Sequence, residues 1–384
     1  MKNMQSNNLN LNEKQLGRET SRRSGLELLR IVAMVAIISY HFRMQTPLQE
    51  AVGSVENRFL INLLGCFGRS GVNVFVMLGA WFLTERPFNS QRMIRLYLAC
   101  FFYTVCGTAI ALWTWPLTDQ TENIKAMLRA LLPLSGSPLW FVSDYLALLF
   151  LSPYLNMLAR QLPYEKYTFL TKVLLLVYVV VPVVENMVPG INTHEWFILY
   201  KDFIWLIVLY LLVAFVKLHY REQLEMLPPH YLLVPCLLVA VAFNAIVAVC
   251  PNDSSFMVSK FLKFTDYLFH ALNSPFCLVM AFGAFLWFRR LDFSSRLVNW
   301  IAQGVLGIYI LHQVPVLVPH IWGFFRIEQW NDTWCFVVKE ILTVLAIFIC
   351  CLGIDTVRRV LMRPVLRSSF IEKLSAAWNA RMPN

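Results

Sequence analysis

Long apolar runs recur along almost the whole chain, and short polar stretches separate them. The first run reads GLELLRIVAMVAIISYHFRM and covers residues 25–44. A helix needs about 20 apolar residues to cross a hydrocarbon core about 30 Å thick, and most of the runs approach that length. The pattern therefore predicts an all-α, polytopic membrane protein with about ten transmembrane helices.

The runs divide the chain into a membrane region and two polar ends. We expect a polar tail at residues 1–23, a transmembrane domain at 24–357 and a basic tail at 358–384. Between two of the runs, the amphipathic sequence IKAMLRALL is expected to lie along the membrane surface. The ten spans are expected at about 26–46, 59–83, 96–115, 138–158, 169–188, 197–216, 230–250, 266–288, 298–320 and 334–356.

The basic residues are concentrated in the two tails and in alternate loops. With the spans placed as above, most of the 33 Lys and Arg residues fall on one side of the membrane. By the positive-inside rule, this distribution puts both termini in the cytoplasm. The composition agrees, because 58% of the residues are hydrophobic, only 15% are charged and the mean hydropathy is +0.56. The net charge of +10 therefore reflects topology, and no nucleic-acid partner is predicted.

Arg30 and His41 are ionisable residues inside the first apolar run. Eleven residues at about 100° each return His41 almost to the face of Arg30, roughly 16 Å further along the helix and near mid-membrane. Arg30 could be only an anchor that reaches the headgroups, and His41 could be satisfied by a backbone carbonyl. The pair on one face favours a functional site, where a neutral imidazole acts as a general base or accepts an acyl group.

Arg92 and Arg95 lie three residues apart in QRMIRLY, at the predicted cytoplasmic start of the third span. On a helix they share a face. One interpretation is ordinary positive charge on the inner side of the membrane. The other is a clamp for an anionic ligand, because guanidinium groups bind phosphate through paired hydrogen bonds.

Several other polar residues in or beside the spans are weaker candidates for substrate binding or support. Arg69 and Asn73 occur in GRSGVNVF, whose glycines would let two helices approach closely. Asp144 lies within an apolar span and could pair with an arginine of the first or second span. His312 is an isolated histidine at depth, for which packing or a helix–helix hydrogen bond is the default. The remaining candidates are Trp140 and Tyr145, together with Asp266 and His270, which are spaced to pair on one helix face.

Five sequence blocks together resemble acyltransferase family 3, a family of integral-membrane acyl-CoA transferases. They are the R-x10-H spacing of Arg30 and His41, GVNVFVMLGAWFL, the R-x-x-R of Arg92 and Arg95, LWFVSDYLALLFLSPYL, and GIYILHQ. Their order and spacing match the family over most of the membrane region. The resemblance implies about ten spans and transfer of acetyl or other short acyl groups from cytoplasmic acyl-CoA to hydroxyls of surface or lipid-linked saccharides.

The resemblance also implies roles for individual residues. His41 would be the catalytic histidine and Arg30 its partner, while Arg92 and Arg95 would bind the acyl donor. His312 matches a recurrent position of the family. The chain departs from the family pattern in the second span, where it reads G-A in place of the frequent S-G. It is expected to be the stand-alone form, without an appended extracytoplasmic domain.

The expected partners are acyl-CoA as co-substrate, with acetyl-CoA the leading donor, a saccharide or lipid-linked saccharide acceptor, and membrane lipids. No bound cofactor and no metal are predicted, since the chain lacks H-E-x-x-H, Walker and G-x-G-x-x-G motifs. The resemblance implies a multi-pass protein of a bacterial inner membrane. The alternative is a non-enzymatic transporter or exporter of a glycan or anionic substrate, which would use the same buried Arg and His residues as a binding and proton path.

Overall fold

The computed structural model of the chain describes residues 24–45, 54–116, 119–134, 139–188, 202–250, 256–330 and 335–383, and all regular structure in these residues is helical. The expected tail at residues 1–23 and the first part of the expected span 197–216, residues 197–201, lie outside the described residues. The helices are α1 (Ser24–Gln45), α2 (Val55–Gly65), α3 (Gly68–Leu83), α4 (Ser90–Thr114), α5 (Gln120–Leu131), α6 (Trp140–Gln161), α7 (Tyr164–Leu175), α8 (Val181–Met187), α9 (Asp202–His219), α10 (Arg221–Met226), α11 (His230–Val249), α12 (Phe256–His270), α13 (Pro275–Arg289), α14 (Arg296–Ala302), α15 (Val305–His312), α16 (Val318–Phe324), α17 (Phe336–Leu361), α18 (Arg363–Leu366) and α19 (Ser369–Asn379).

Nine stretches of the described residues are helical, long and apolar enough to cross a membrane. They confirm the predicted all-α, polytopic membrane fold. Three of them combine two helices: α2 with α3, α12 with α13, and α7 with α8 through the π-helical turn Leu176–Val180. The nine stretches are Ser24–Gln45, Val55–Leu83, Ser90–Thr114, Trp140–Gln161, Tyr164–Met187, Asp202–His219, His230–Val249, Phe256–Arg289 and Phe336–Leu361.

The span expected at about 298–320 is not one continuous helix. It breaks into α14, α15 and α16. Gly304 occupies the first break, where an added Cβ would lie 2.6 Å from a Leu352 side-chain carbon, so the missing side chain lets α17 pack closely. Pro315 lies in the second break, and a proline cannot donate a backbone hydrogen bond to continue a helix. Together α14 and α15 still run alongside α1, from its first residue to the level of His41.

The start of α1 and the end of α17 lie at the same end of the bundle. The Ser24 hydroxyl donates to the Asn299 side chain of α14 over 3.0 Å. Arg359, near the end of α17, contacts Gln303, directly after α14, over 3.4 Å. Arg92, in the first turn of α4, lines the same cavity as Arg359. We therefore call this the basic end of the bundle. The opposite end, where α1 finishes, is called the far end.

The core is organised around α1, which packs most extensively against α3. The predicted close approach at the two glycines of GRSGVNVF is confirmed. A Cβ on Gly68 would lie 2.2 Å from the Tyr40 Cβ, and a Cβ on Gly71 would lie 2.7 Å from the Ala33 carbonyl oxygen. Only the absence of side chains lets the two backbones approach this closely, and this approach fixes the position of α3 beside the polar residues of α1.

Candidate active site

His41 and His312 meet where α1 and α15 converge. His41 lies one turn before the end of α1, and His312 is the last residue of α15. His41 Nδ1 is 2.9 Å from His312 Nε2, and the His312 side chain is fully buried. The helix–helix hydrogen bond expected for His312 is therefore confirmed, and its partner is the other candidate histidine.

The backbone determines which ring nitrogens carry hydrogen. His312 Nδ1 lies 2.7 Å from the carbonyl oxygen of Ile308, which can only accept, so this nitrogen carries the hydrogen. In the neutral His312 ring, Nε2 then holds a lone pair that faces His41. His41 must donate from Nδ1, and its Nε2 keeps a lone pair. That lone pair is what a general base needs.

Gln313 adds a second contact to the same nitrogen, because its side-chain Nε2 lies 3.1 Å from His41 Nδ1. If the Gln313 amide is rotated by 180°, its oxygen faces the His41 Nδ1–H. This N–H then has two acceptors, His312 Nε2 and the Gln313 oxygen. If His312 Nε2 instead donated to His41 Nδ1, His312 would have to donate from both of its ring nitrogens. That would create a buried imidazolium, and no carboxylate contacts His312 among the described residues, so the neutral arrangement is favoured.

Arg69 is held beside the histidine pair by aromatic rings. Its guanidinium carbon lies 5.5 Å from the Tyr40 ring centroid and 5.4 Å from that of Trp140, within the range of cation–π attraction. The Arg69 charge also acts on the His41 ring. Its Nε is buried and has no hydrogen-bond partner among the described residues. The site therefore contains a positioned cation with a free donor.

A third histidine, His270, lies beside Tyr40. Its Nδ1 is 2.7 Å from an Asp266 carboxylate oxygen, so the predicted pair is confirmed. The His270 and Tyr40 ring centroids are 5.4 Å apart. Tyr40 in turn lies 5.7 Å from the His41 ring centroid. Asp266, His270 and Tyr40 thus form a polar wall on the side of the site that faces the far end of the bundle. Such hydrogen-bonding groups suit a hydroxyl-rich ligand.

At the basic end a large cavity of about 1390 Å³ opens between α1, α3, α4 and α13. Arg30 lies on its wall and is bonded to Glu27, one turn earlier, over 2.7 Å to each carboxylate oxygen. Arg30 therefore contacts Glu27 rather than His41, which lies about 16 Å further along α1. The charged residues of the wall are Glu27, Arg30, Arg86, Arg92, Arg289 and Asp292.

An aromatic series connects this cavity with the histidine pair. Tyr145 lines the cavity and stacks on Phe141, with 5.6 Å between ring centroids. Phe141 contacts Tyr309 edge-on at 5.6 Å, and Tyr309 contacts the His312 ring at 6.0 Å. Gly79 lets Tyr145 in, because a Cβ there would lie 2.6 Å from the Tyr145 hydroxyl. The G-A departure from the family pattern thus makes room for a tyrosine.

Three of the candidate residues lie elsewhere. Arg95 does not line the large cavity but a smaller one beside it, and Arg92 lines both. Asn73 is fully buried and holds the fold together: its amide donates to the Leu272 carbonyl over 2.8 Å and accepts from the Trp205 indole over 3.0 Å. Asp144 forms no ion pair with an arginine among the described residues, and its charged neighbour is Asp202.

Sequence reasoning missed Gln313 and Glu340. Glu340 is fully buried in α17, where one carboxylate oxygen accepts from the Ser39 hydroxyl over 3.1 Å. Its other oxygen has no partner among the described residues. An acid near the start of an apolar run was the available signal. Gln313 directly follows a candidate histidine, but its role depends on the end of α15, which hydropathy does not predict.

The comparison with known families agrees with this geometry. A family model described as an acyltransferase domain, that of acyltransferase family 3, matches residues 23–354 of the 384. No curated protein and no solved structure matches the chain. Within the described residues, no group of three His, Cys, Asp or Glu side chains is arranged to hold a metal ion. The matched region contains both histidines and every residue that lines the large cavity. The chain belongs to acyltransferase family 3.

Proposed function

We propose that this membrane acyltransferase moves an acetyl or other short acyl group from acyl-CoA to a hydroxyl of a cell-surface or lipid-linked saccharide. The observation that carries the proposal is the bond from His41 Nδ1 to His312 Nε2, which leaves the His41 Nε2 lone pair free. A positioned base with an accessible lone pair is what acyl transfer to a hydroxyl needs. Family membership supports the reaction type.

The large cavity is the proposed donor site. Arg86 and Arg92 lie on its wall at the basic end, and guanidinium groups suit the phosphates of a multiply anionic donor. The aromatic series from Tyr145 to His312 lies between this cavity and His41, and the thin acyl-bearing arm is proposed to follow it. Arg30, bonded to Glu27, shapes the wall of this site. Arg95 contributes from the neighbouring cavity.

The proposed reaction moves one proton twice. The acceptor hydroxyl gives its proton to His41 Nε2, and its oxygen attacks the thioester carbonyl carbon. The carbon–sulfur bond then breaks, and the leaving thiolate takes the proton from the imidazolium. His312 accepts the Nδ1 hydrogen throughout, so it orients the ring and stabilises the imidazolium that forms.

Arg69 is the proposed stabiliser of the charge that develops on the carbonyl oxygen. It is positioned by Tyr40 and Trp140 and has a buried, unbonded Nε beside His41. A preorganised donor of this kind favours the transition state because it needs no rearrangement during the reaction. The saccharide is proposed to enter from the far end, along the wall that includes His270 and Asp266. A bacterial inner membrane with both termini in the cytoplasm is the proposed setting.

Transfer of label from acetyl-CoA to membrane saccharides tests this proposal. Membranes with wild-type protein, His41→Gln and the matched control His320→Gln would be compared at equal protein levels. His320 stacks on Trp115, with 4.1 Å between ring centroids, and lies outside the site. We expect His41→Gln to lose about 10²–10⁴-fold in rate, the usual contribution of a general base, and His320→Gln to stay close to wild type.

Equal labelling by wild type and His41→Gln would overturn the assignment of His41. Saccharide movement across the membrane with no consumption of acyl-CoA, in wild type and His41→Gln alike, would favour the transporter instead. Repeating the assay with other short-chain acyl-CoA donors identifies the acyl group, because the same His41 dependence is expected for the true donor.

A further inference from the structure

A second cavity of about 710 Å³ lies at the basic end, between the start of α4, the break before α15 and the segment that ends α17. Its wall is unusually basic, and no lysine or acidic residue lines it. Its charged residues are Arg92, Arg95, Arg358, Arg359, Arg363 and Arg367.

Two of these arginines share one carboxylate partner, whose single negative charge offsets only one of their two positive charges. Asp355 binds Arg358 over 2.8 Å and Arg359 over 2.9 Å. The other four have no carboxylate partner among the described residues, and each is exposed. Four like charges around one concave surface repel each other, so the arrangement favours an anionic occupant.

The wall is a defined structure rather than a loose tail. Asp355 is fully buried and accepts from the Tyr103 hydroxyl over 2.7 Å. Gly307 makes the space for it, since a Cβ there would lie 2.0 Å from an Asp355 carboxylate oxygen. This buried carboxylate fixes the last turns of α17 and hence the direction in which Arg363 and Arg367 continue.

Four of the six arginines lie beyond residue 354, where the family match stops: Arg358, Arg359, Arg363 and Arg367. They are also surrounded by apolar surface. On the last turns of α17, Val357 is 59% exposed and Val360 is 67% exposed. Phe370, which follows on α19, is 71% exposed. A basic cavity beside exposed apolar side chains at a helix end is complementary to an anionic phospholipid. The arginines suit its headgroup, and the apolar side chains suit its acyl chains.

We propose that this cavity binds phosphate groups, and that their source is the headgroup of an anionic phospholipid whose acyl chains lie along α17. The phosphates of the acyl donor are the other possible source, because Arg92 borders both cavities. Binding is measured below without turnover, so the result stands whether or not the protein transfers acyl groups.

The test uses the full chain in phosphatidylcholine nanodiscs and titrates cardiolipin, with bound lipid counted by native mass spectrometry. The variant is Arg363→Gln with Arg367→Gln. The control is Arg129→Gln with Arg381→Gln, which removes the same charge from exposed residues that do not line this cavity. We expect the variant to bind cardiolipin about 25-fold more weakly and the control to match wild type.

A second titration in nanodiscs of phosphatidylcholine alone uses adenosine 3′,5′-bisphosphate, which carries donor-like phosphates. Unchanged bisphosphate binding in the variant, with weakened cardiolipin binding, supports the lipid assignment. Weakened bisphosphate binding with unchanged cardiolipin binding overturns that assignment in favour of the donor. Two unchanged titrations overturn the site altogether. Equal melting temperatures in phosphatidylcholine establish that the variant is folded.

Discussion

The carbonyl oxygen of Ile308 determines which nitrogen of His41 carries hydrogen, although the two residues are linked only through His312. It takes the His312 Nδ1 hydrogen, so His312 accepts from His41 and the His41 Nε2 lone pair is free. The sequence predicted both histidines as candidates, one by its spacing from Arg30. It did not predict their contact, because the contact depends on where α15 ends against α1.

Replacing His312 with alanine tests the orienting role. His41 Nδ1 would lose one of its two acceptors, and the Gln313 amide alone would hold the ring less firmly in one tautomer. By analogy with the groups that orient metal-bound histidines, we expect kcat for acyl transfer to fall about 10–100-fold, with the KM for acyl-CoA unchanged. His320→Ala provides the matched control. A rise in KM with unchanged kcat would assign His312 to donor binding instead.

At the scale of helices, the segment from Arg296 to Phe324 differs most from expectation. Hydropathy predicted one span there because the residues are apolar, and glycine and proline also occur inside membrane helices. The first break coincides with a tertiary contact that hydropathy does not contain, Gly304 against Leu352, and Pro315 lies in the second break. The same breaks bring His312 to His41, so this element forms half of the site.

Gly307→Ala tests this packing. The new Cβ would clash with Asp355, which is also bonded to Tyr103, so the carboxylate cannot move away freely. We expect a loss of about 1–3 kcal/mol in stability, seen as a lower melting temperature in detergent. Gly353→Ala on α17 is the control, because nothing lies within 4 Å of its added Cβ. Equal melting temperatures for the two variants would contradict the close packing of α15 on α17.

A pH-dependent contact links the loop after α3 to α9. Lys217 donates to the Trp81 carbonyl and lies 2.8 Å from a Glu85 carboxylate oxygen. This hydrogen bond lowers the pKa of Glu85 below its ordinary value of 4.5. The contact therefore contributes stability above pH 4.5 and loses it as the pH falls below that value.

The stability difference between wild type and Glu85→Gln measures this contribution. We expect wild type to be more stable at pH 7, by at most about 1 kcal/mol because Glu85 is more than half exposed. The difference in melting temperature should shrink as the pH is lowered from 5 to 3. A difference that grows on acidification would show that the carboxylate is not the stabilising form.

At the scale of the whole molecule, hydropathy predicted the class and most of the architecture. Nine of the ten expected spans correspond to helical stretches of the described residues that are continuous or that contain only a short break, because the length of an apolar run limits what it can form in a bilayer. Both ends of the bundle region lie at the basic end, which agrees with an even number of crossings. The division into two cavities could not be predicted, because Arg92 and Arg95 share a helix face and yet only Arg92 borders both cavities.

The most direct measurement is the rate of acyl transfer from acetyl-CoA by His41→Gln, His312→Ala and the variant that carries both. If His312 acts only through His41, removing it after the base is gone should cost nothing further, and the double variant should match His41→Gln. Costs that multiply in the double variant would contradict the account, because the two histidines would then act independently.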